Sequence, residues 1–125
     1  MKLRMKYIIA DSDEENCNEL KNILDDYETL DFQGSFTTLK AAEKSIYKEP
    51  PDIAFIRIGK AELNVFKLVS VIRDLNLFAK FILLSNQEEY AIEAFEYEAD
   101  GFLLIPFSKE KIKHLLQKGF EMRRA

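Results

Sequence analysis

Short runs of apolar residues alternate with segments of helical periodicity along the whole chain. The first run, Met5–Ala10, has the length of a strand, and the polar sequence Ser12-Asp13-Glu14-Glu15 follows it. Ser12 can accept a hydrogen bond from an early helical N–H while Glu15 reaches back, so these residues predict a helix capped by Ser12. Behind them, apolar residues recur at spacings of three and four and predict one buried helix face. Its members are Cys17, Leu20, Leu24 and Tyr27.

The same alternation continues for four more units. Further strands are predicted at residues 32–36, 52–58, 81–84 and 101–105. Further helices are predicted from a cap at Thr37 or Thr38 to about residue 48, at 65–75, at 88–97 and after Ser108. The third strand is apolar on both faces until Arg57 interrupts it, as expected for a central strand that helices cover on each side. Because parallel neighbours need a crossover between them, strict alternation predicts an α/β fold with a doubly wound parallel sheet.

In a sheet of this kind, functional side chains collect where the strands end. Those positions hold Asp11 and Ser12 after the first strand, Arg57 at the end of the third, Ser85 after the fourth and Ile105-Pro106 after the fifth. The loops after the first and third strands have no Gly-rich segment that would cradle a phosphate. A flavin or nucleotide binder is therefore the weaker interpretation, and we expect no cofactor.

The composition indicates one globular domain over residues 1–125. With 47% hydrophobic and 32% charged residues in 125, the chain can bury one core but cannot hold two full domains. Its 18 Lys and Arg against 22 Asp and Glu give a net charge of −4, which opposes binding to nucleic acid. The lone cysteine, Cys17, suits a reducing compartment, so the cytoplasm is expected. The apolar run ending before Asp11 is too short for a signal peptide or a membrane span, so no membrane association is expected.

Several segments together resemble the receiver domains of two-component response regulators, with a CheY-like fold. Ile8-Ile9-Ala10-Asp11 is similar to the family's first strand, and Pro51-Asp52-Ile53-Ala54-Phe55-Ile56 to its third. The segment from Tyr90 to Phe107 looks most like receivers that precede a LytTR-type DNA-binding domain. The resemblance covers nearly the whole chain. It implies a flavodoxin-like, five-stranded parallel sheet of strand order 2-1-3-4-5 with five helices, and a cis peptide bond between Ile105 and Pro106.

The resemblance also implies a phosphotransfer pocket, from which this sequence departs. In the family a histidine kinase phosphorylates an aspartate that ends the third strand, and an acidic pair after the first strand helps to hold magnesium. Here Arg57 stands at the acceptor position, Ser12 at the second position of the acidic pair and Ile105 at the position of the pocket lysine. Ser85 and Phe102 keep the family's hydroxyl and aromatic positions.

These departures make the chain a degenerate receiver in our interpretation. A guanidinium is always cationic and cannot attack phosphorus. We hypothesise that Arg57 occupies the place of the metal ion and pairs with Asp11, which leaves the pocket neutral. The alternative is that Arg57 extends over apolar neighbours into solvent. For Ser85, we favour a role in starting the fourth helix over any role in binding phosphate.

The predicted function is a phosphorylation-independent, non-enzymatic interaction module in signal transduction or transcription regulation. A protein partner or a second copy is expected to bind the face formed by the fourth helix, fifth strand and fifth helix, where Tyr90 and Tyr97 are candidate anchors. A DNA-binding output domain could follow residue 125. The alternative function is a working phosphoacceptor that uses a displaced carboxylate, such as Asp13.

Overall fold

The computed structural model describes residues 4–59 and 64–119. Within them the strands are β1 (Met5–Ala10), β2 (Leu30–Phe36), β3 (Ile53–Arg57), β4 (Lys80–Ser85) and β5 (Gly101–Leu104). The helices are α1 (Glu14–Leu24), α2 (Leu39–Lys48), α3 (Val65–Leu75), α4 (Tyr90–Glu96) and α5 (Lys109–Gly119). None of these helices combines the length and hydropathy of a membrane span. The remaining parts of the predicted 1–125 domain, namely 1–3, 60–63 and 120–125, lie outside the described residues.

The five strands form one parallel sheet in the order β2-β1-β3-β4-β5, which confirms the predicted fold. In the centre, Ile9 of β1 lies opposite Phe55 of β3, and Phe55 lies opposite Ile82 of β4. Because the strands are parallel, all their carboxyl ends lie at the same edge of the sheet, where Asp11 follows β1, Arg57 ends β3 and Ser85 ends β4.

Each face of the sheet is covered by its own apolar cluster. The helices α1 and α5 bury Leu20 and Ile112 against strand residues that include Phe55. The helices α2, α3 and α4 cover the other face, where Ile46 and Leu68 are fully buried. The stripe predicted for the first helix is buried as expected, at Cys17, Leu20, Leu24 and Tyr27.

Several predicted boundaries shift for identifiable reasons. The second strand begins at Leu30 rather than residue 32, because Leu30 is buried and pairs with Met5. The fourth helix begins at Tyr90 rather than residue 88, because the preceding residues form tight turns. In these turns Tyr90 N–H donates to the Gln87 carbonyl and Ala91 N–H to the Glu88 carbonyl.

The opposite edge of the sheet is fastened by carboxylates that bind strand backbone. Asp52 Oδ2 accepts a hydrogen bond of 2.8 Å from Lys6 N–H, and Asp100 Oδ2 accepts one of 2.8 Å from Phe81 N–H. These bonds satisfy main-chain donors where the strands begin. At the start of β5, Gly101 allows α5 close to the sheet, since a Cβ there would lie 2.5 Å from Leu115 Cδ1.

Candidate functional site

Asp11 lies at the centre of the carboxyl edge of the sheet, just beyond β1. Its N–H donates to the Phe36 carbonyl at 3.0 Å, which fixes the chain between β1 and β2. Its side chain is fully buried, and Oδ1 accepts a hydrogen bond of 2.9 Å from Asp13 N–H. A buried carboxylate needs such donors or a cation to offset its lost hydration.

Arg57 supplies that cation from the end of β3. Its Nη1 lies 3.4 Å from Asp11 Oδ2, and its side chain is only 14% exposed. Strand pairing brings the two together, because Ala10 lies opposite Ile56, so that Asp11 and Arg57 follow at neighbouring strand ends. The geometry therefore contains the predicted ion pair, and the alternative of Arg57 extending into solvent is wrong.

The start of α1 differs from the prediction. The N-cap is Asp13, whose Oδ1 accepts hydrogen bonds from Glu15 N–H at 2.9 Å and Asn16 N–H at 3.4 Å. Ser12 is exposed and does not cap the helix. Both residue types are good N-caps, and the chain turns one residue later than expected because Asp11 holds Asp13 N–H.

The other predicted site residues lie at the end of β4, on β5 and directly after β5. Ser85 is buried, and its Oγ accepts a hydrogen bond of 3.1 Å from Gln87 N–H. This bond shapes the turn after β4 but does not cap α4, whose N-cap is Glu89. Phe102 is half-buried against the α2–α3–α4 side, and Ile105 packs against the α1–α5 side. The peptide bond between Ile105 and the exposed Pro106 is cis, as the resemblance implied.

The surroundings of Asp11 do not suit a magnesium ion. This ion prefers an octahedron of oxygen ligands, usually with more than one anionic partner. Here one oxygen of Asp11 accepts a backbone N–H and the other faces the guanidinium of Arg57. Within residues 4–59 and 64–119, no three His, Cys, Asp or Glu side chains are grouped as a metal site requires.

Sequence and structure comparisons assign the chain to a family. Residues 7–117 match the family model described as the response regulator receiver domain. The chain belongs to that family. It is 25% identical over 114 residues to the sensory transduction protein LytT of Bacillus anthracis, and covers 46% of that protein. It is 26% identical over 116 residues to the sensory transduction protein LytR of Streptococcus mutans, and covers 48% of it. These matches use 91% of the present chain, which spans about half the length of these relatives.

A solved receiver gives the same result in three dimensions. The response regulatory domain of protein MrkE from Klebsiella pneumoniae superposes with a TM-score of 0.78 at 26% identity. The alignment covers 91% of this chain and 93% of that domain. The chain is therefore a receiver domain of a two-component response regulator, related to the LytT and LytR regulators.

The receiver's α4 exposes apolar side chains that the sequence analysis missed. The predicted anchors Tyr90 and Tyr97 are half-buried and pack against the core. Ile92 and Phe95 are instead 73% and 83% exposed. Their spacing of three is that of a buried helix stripe, so the sequence pattern predicts burial rather than exposure. The structure differs because α4 is short and buries Ala94 instead.

Two open cavities lie along the edge strand β5, the first between α4 and α5 and the second against α5 alone. The first has a volume of about 290 Å³, with Glu88 on the α4 side and Lys111 on the α5 side. The second has a volume of about 440 Å³ and extends along α5 to His114. Phe102 and Leu103 line both cavities, so the receiver offers a partly apolar groove on this face.

Cys17 lies beneath the ion pair, inside the α1 face of the receiver. Its thiol is buried and donates to the Asp11 carbonyl, with the sulfur 3.4 Å from the oxygen. Burial, followed by the nearby charge of Asp11, raises the pKa of the Cys17 thiol to about 11. The thiol is therefore protonated at neutral pH and acts as part of the core.

Proposed function

We propose that this receiver works through protein contacts and does not accept a phosphoryl group. The observation that carries the proposal is the ion pair between Arg57 and the buried Asp11, at the strand ends where the family's chemistry takes place. A guanidinium has no lone pair available for attack on phosphorus at any accessible pH. Residue 57 therefore cannot accept a phosphoryl group.

The charge of the pocket supports the same conclusion. The carboxylate of Asp11 and the guanidinium of Arg57 sum to zero, so neither a divalent ion nor a phosphoryl group is needed to balance the pocket. In the phosphotransfer scheme, cations offset the charge of the transferring group. Here the available cation is already paired with Asp11. A neutral, closed pocket leaves the receiver in one state whether or not a kinase is active.

The displaced carboxylate of Asp13 gains no support from its geometry. Its Oδ1 accepts two backbone N–H groups of the first helical turn, and the side chain lies at the exposed start of α1. Both bonds hold the carboxylate at the first turn of α1. We therefore assign Asp13 a structural role.

The interaction surface in this proposal is the face formed by α4, β5 and α5. It carries the exposed Ile92 and Phe95 and the partly apolar groove along β5, which can bind a protein partner or a second copy. We infer a binding module rather than an enzyme, located in the cytoplasm, where a buried lone thiol stays reduced. A DNA-binding output domain elsewhere in a longer protein would carry the transcriptional role.

The proposal is tested by offering small phosphodonors to the purified protein. We expect incubation with acetyl phosphate and magnesium to leave the intact mass unchanged, and beryllium fluoride to give no bound fluorine NMR signal. An adduct of one phosphoryl group would contradict the proposal. The matched variant Asp13→Asn then identifies the acceptor, because loss of the adduct in this variant would establish the displaced carboxylate.

A further inference from the structure

The exposed side of α4 carries an apolar pair beside a row of glutamates. Ile92 and Phe95, three residues apart, are both exposed. Glu89, Glu93 and Glu96 follow spacings of four and three, which place residues on one side of a helix. Glu89 and Glu96 are exposed, and Glu93 is half-buried. Glu89 precedes the helix by one residue but already has helical backbone angles, with φ −61° and ψ −20°. We call these five residues the acidic face of α4.

The acidic face has no paired cation in the part of the chain that the structure describes. From residue 86 to residue 108 the sequence has six acidic residues and no Lys, Arg or His. The ion pairs among the described residues include no glutamate of α4. Arg73 of α3 reaches the end of α4, where its Nη2 donates to the Glu98 carbonyl at 3.3 Å and its guanidinium carbon lies 4.9 Å from the centre of the Phe81 ring. The surface of α4 is therefore negative.

The cations of α5 lie across the groove along β5. Lys111 lines both cavities there, and Glu88, which is outside the acidic face, lines the first cavity with it. Among the described residues, the large apolar side chains that are exposed include none from α5. A second copy that met the acidic face with its own α5 would supply cations but no exposed apolar side chain for Ile92 and Phe95.

Charge alone does not distinguish α4, because α1 is acidic as well. Glu14, Glu15 and Glu19 of α1 are all exposed. The apolar residues of α1, however, are all buried. A row of glutamates beside exposed apolar side chains is therefore a feature of α4 that α1 lacks. Uncovered apolar side chains grouped on one surface mark contact sites more often than isolated ones do.

We propose that the acidic face of α4 binds a positively charged amphipathic helix of a partner protein. Apolar side chains of that helix cover Ile92 and Phe95, and its Lys or Arg side chains approach the glutamates. Helix pairs commonly combine an apolar stripe with flanking charges of opposite sign. Nucleic acids and anionic membranes carry negative charge, so the same face repels them. The inference deepens the proposed interaction role, and rests on it, by naming the chemistry of the partner.

The size of α4 limits the strength of this contact. The helix has seven residues, so the contact lies well below the surface of about 800 Å² per partner that stable interfaces bury, and it is weak and transient. Charge attraction raises the rate of encounter. The binding should weaken as salt is raised from about 0.05 to about 0.5 M, since the Debye length falls below about 5 Å.

The test uses an amphipathic peptide of leucine and lysine as the probe. It is about 14 residues long, near the length at which an isolated helix becomes stable. A second peptide has glutamate in place of every lysine. Each peptide is titrated into isotope-labelled protein, and the backbone amide signals are followed by NMR. We expect the lysine peptide to shift the signals of residues 89–96 at low salt, and the glutamate peptide to shift none of them.

Two variants separate the apolar part of the face from the charged part. Phe95→Ser removes an apolar anchor and should weaken binding of the lysine peptide about tenfold. Its matched control is Phe78→Ser, because Phe78 is 87% exposed in the turn before β4. Glu96→Lys turns an attraction into a repulsion and should weaken binding about fivefold. Its matched control is Glu19→Lys on α1, which changes the net charge equally. Both control variants should bind the peptide as the wild type does.

Four results would overturn the inference. The first is the absence of any shift on α4 with millimolar lysine peptide, and the second is equal binding of the glutamate peptide. The third is equal binding by Phe95→Ser and Phe78→Ser, which would leave charge alone as the attraction. The fourth is self-association of the protein in sedimentation velocity that Glu96→Lys and Lys111→Glu each abolish, which would make a second copy the occupant. None of these results bears on whether the protein accepts phosphate, so failure here is distinguishable from failure of the phosphorylation-independent role.

Discussion

The contribution of the Arg57–Asp11 pair can be measured with a double-mutant cycle. At 3.4 Å and an effective dielectric constant of about 20, two unit charges attract by about 5 kcal/mol. Desolvation of both groups cancels much of this attraction. We expect a net coupling energy of about 2 kcal/mol, because Asp11 is fully buried and Arg57 is 14% exposed.

The cycle uses Arg57→Met, Asp11→Asn and the double variant. Methionine keeps the apolar stem that covers the strand end but leaves Asp11 as a buried charge without its cation. We expect Arg57→Met to lower the free energy of unfolding by about 2 to 3 kcal/mol, slightly less than for a fully buried pair, because Arg57 is 14% exposed. With a urea m-value of about 1.5 kcal/mol per molar, the midpoint should fall by about 1.3 to 2 M.

A matched control is the exposed pair Lys21–Asp25 of α1, at 3.1 Å. Its coupling energy should be only about 0.3 to 0.5 kcal/mol, as for other exposed helix pairs four residues apart. If the effects of Arg57→Met and Asp11→Asn simply add, with a coupling energy under about 0.5 kcal/mol, the pocket is not held by this pair. Such a small coupling energy would mean that the ion pair does not stabilise the charge-neutral pocket.

Three further predictions concern the cap, the thiol and the core. Asp13→Ala should cost about 1 kcal/mol in thermal unfolding, whereas Ser12→Ala should stay within about 0.5 kcal/mol; equal effects would contradict the assigned N-cap. Native Cys17 should react slowly with iodoacetamide at pH 8, and faster as the pH approaches its pKa of about 11. A native rate equal to that in urea, followed by mass spectrometry, would contradict its burial. Phe55→Ala should cost about 3 to 5 kcal/mol in urea unfolding, because Phe55 is fully buried; a loss under about 1 kcal/mol would be inconsistent with that packing.

The order of elements followed from hydrophobic periodicity because buried strands and amphipathic helices leave different patterns. The β3 run, apolar from Ile53 to Ile56, fits a strand covered on both faces. The start of α4 was harder to predict from the sequence, because Glu88 and Glu89 are residue types that suit a helix. What excludes them is the pair of tight turns in which Tyr90 N–H donates to the Gln87 carbonyl and Ala91 N–H to the Glu88 carbonyl, a local detail without a periodic signal.

The ion pair could be predicted because strand order brings the ends of β1 and β3 together, and Arg57 supplies a cation there. The exposed apolar residues of α4 could not be predicted. Ile92 and Phe95 are spaced like core residues, and their exposure depends on which helix face the sheet covers. Tyr90 and Tyr97, chosen as anchors for their chemistry, lie partly on the covered face.

The ion pair also affects which sequences this receiver can reach by single mutations. An Arg57→Asp change would place a second carboxylate beside the buried Asp11, with Ile105 offering no ammonium nearby. Such a variant would be less stable than the wild type, whether or not it could then hold a metal ion or accept a phosphoryl group. A mutational route that places an acidic residue at position 57 therefore begins with a loss of stability, so selection for stability would retain a cation beside Asp11.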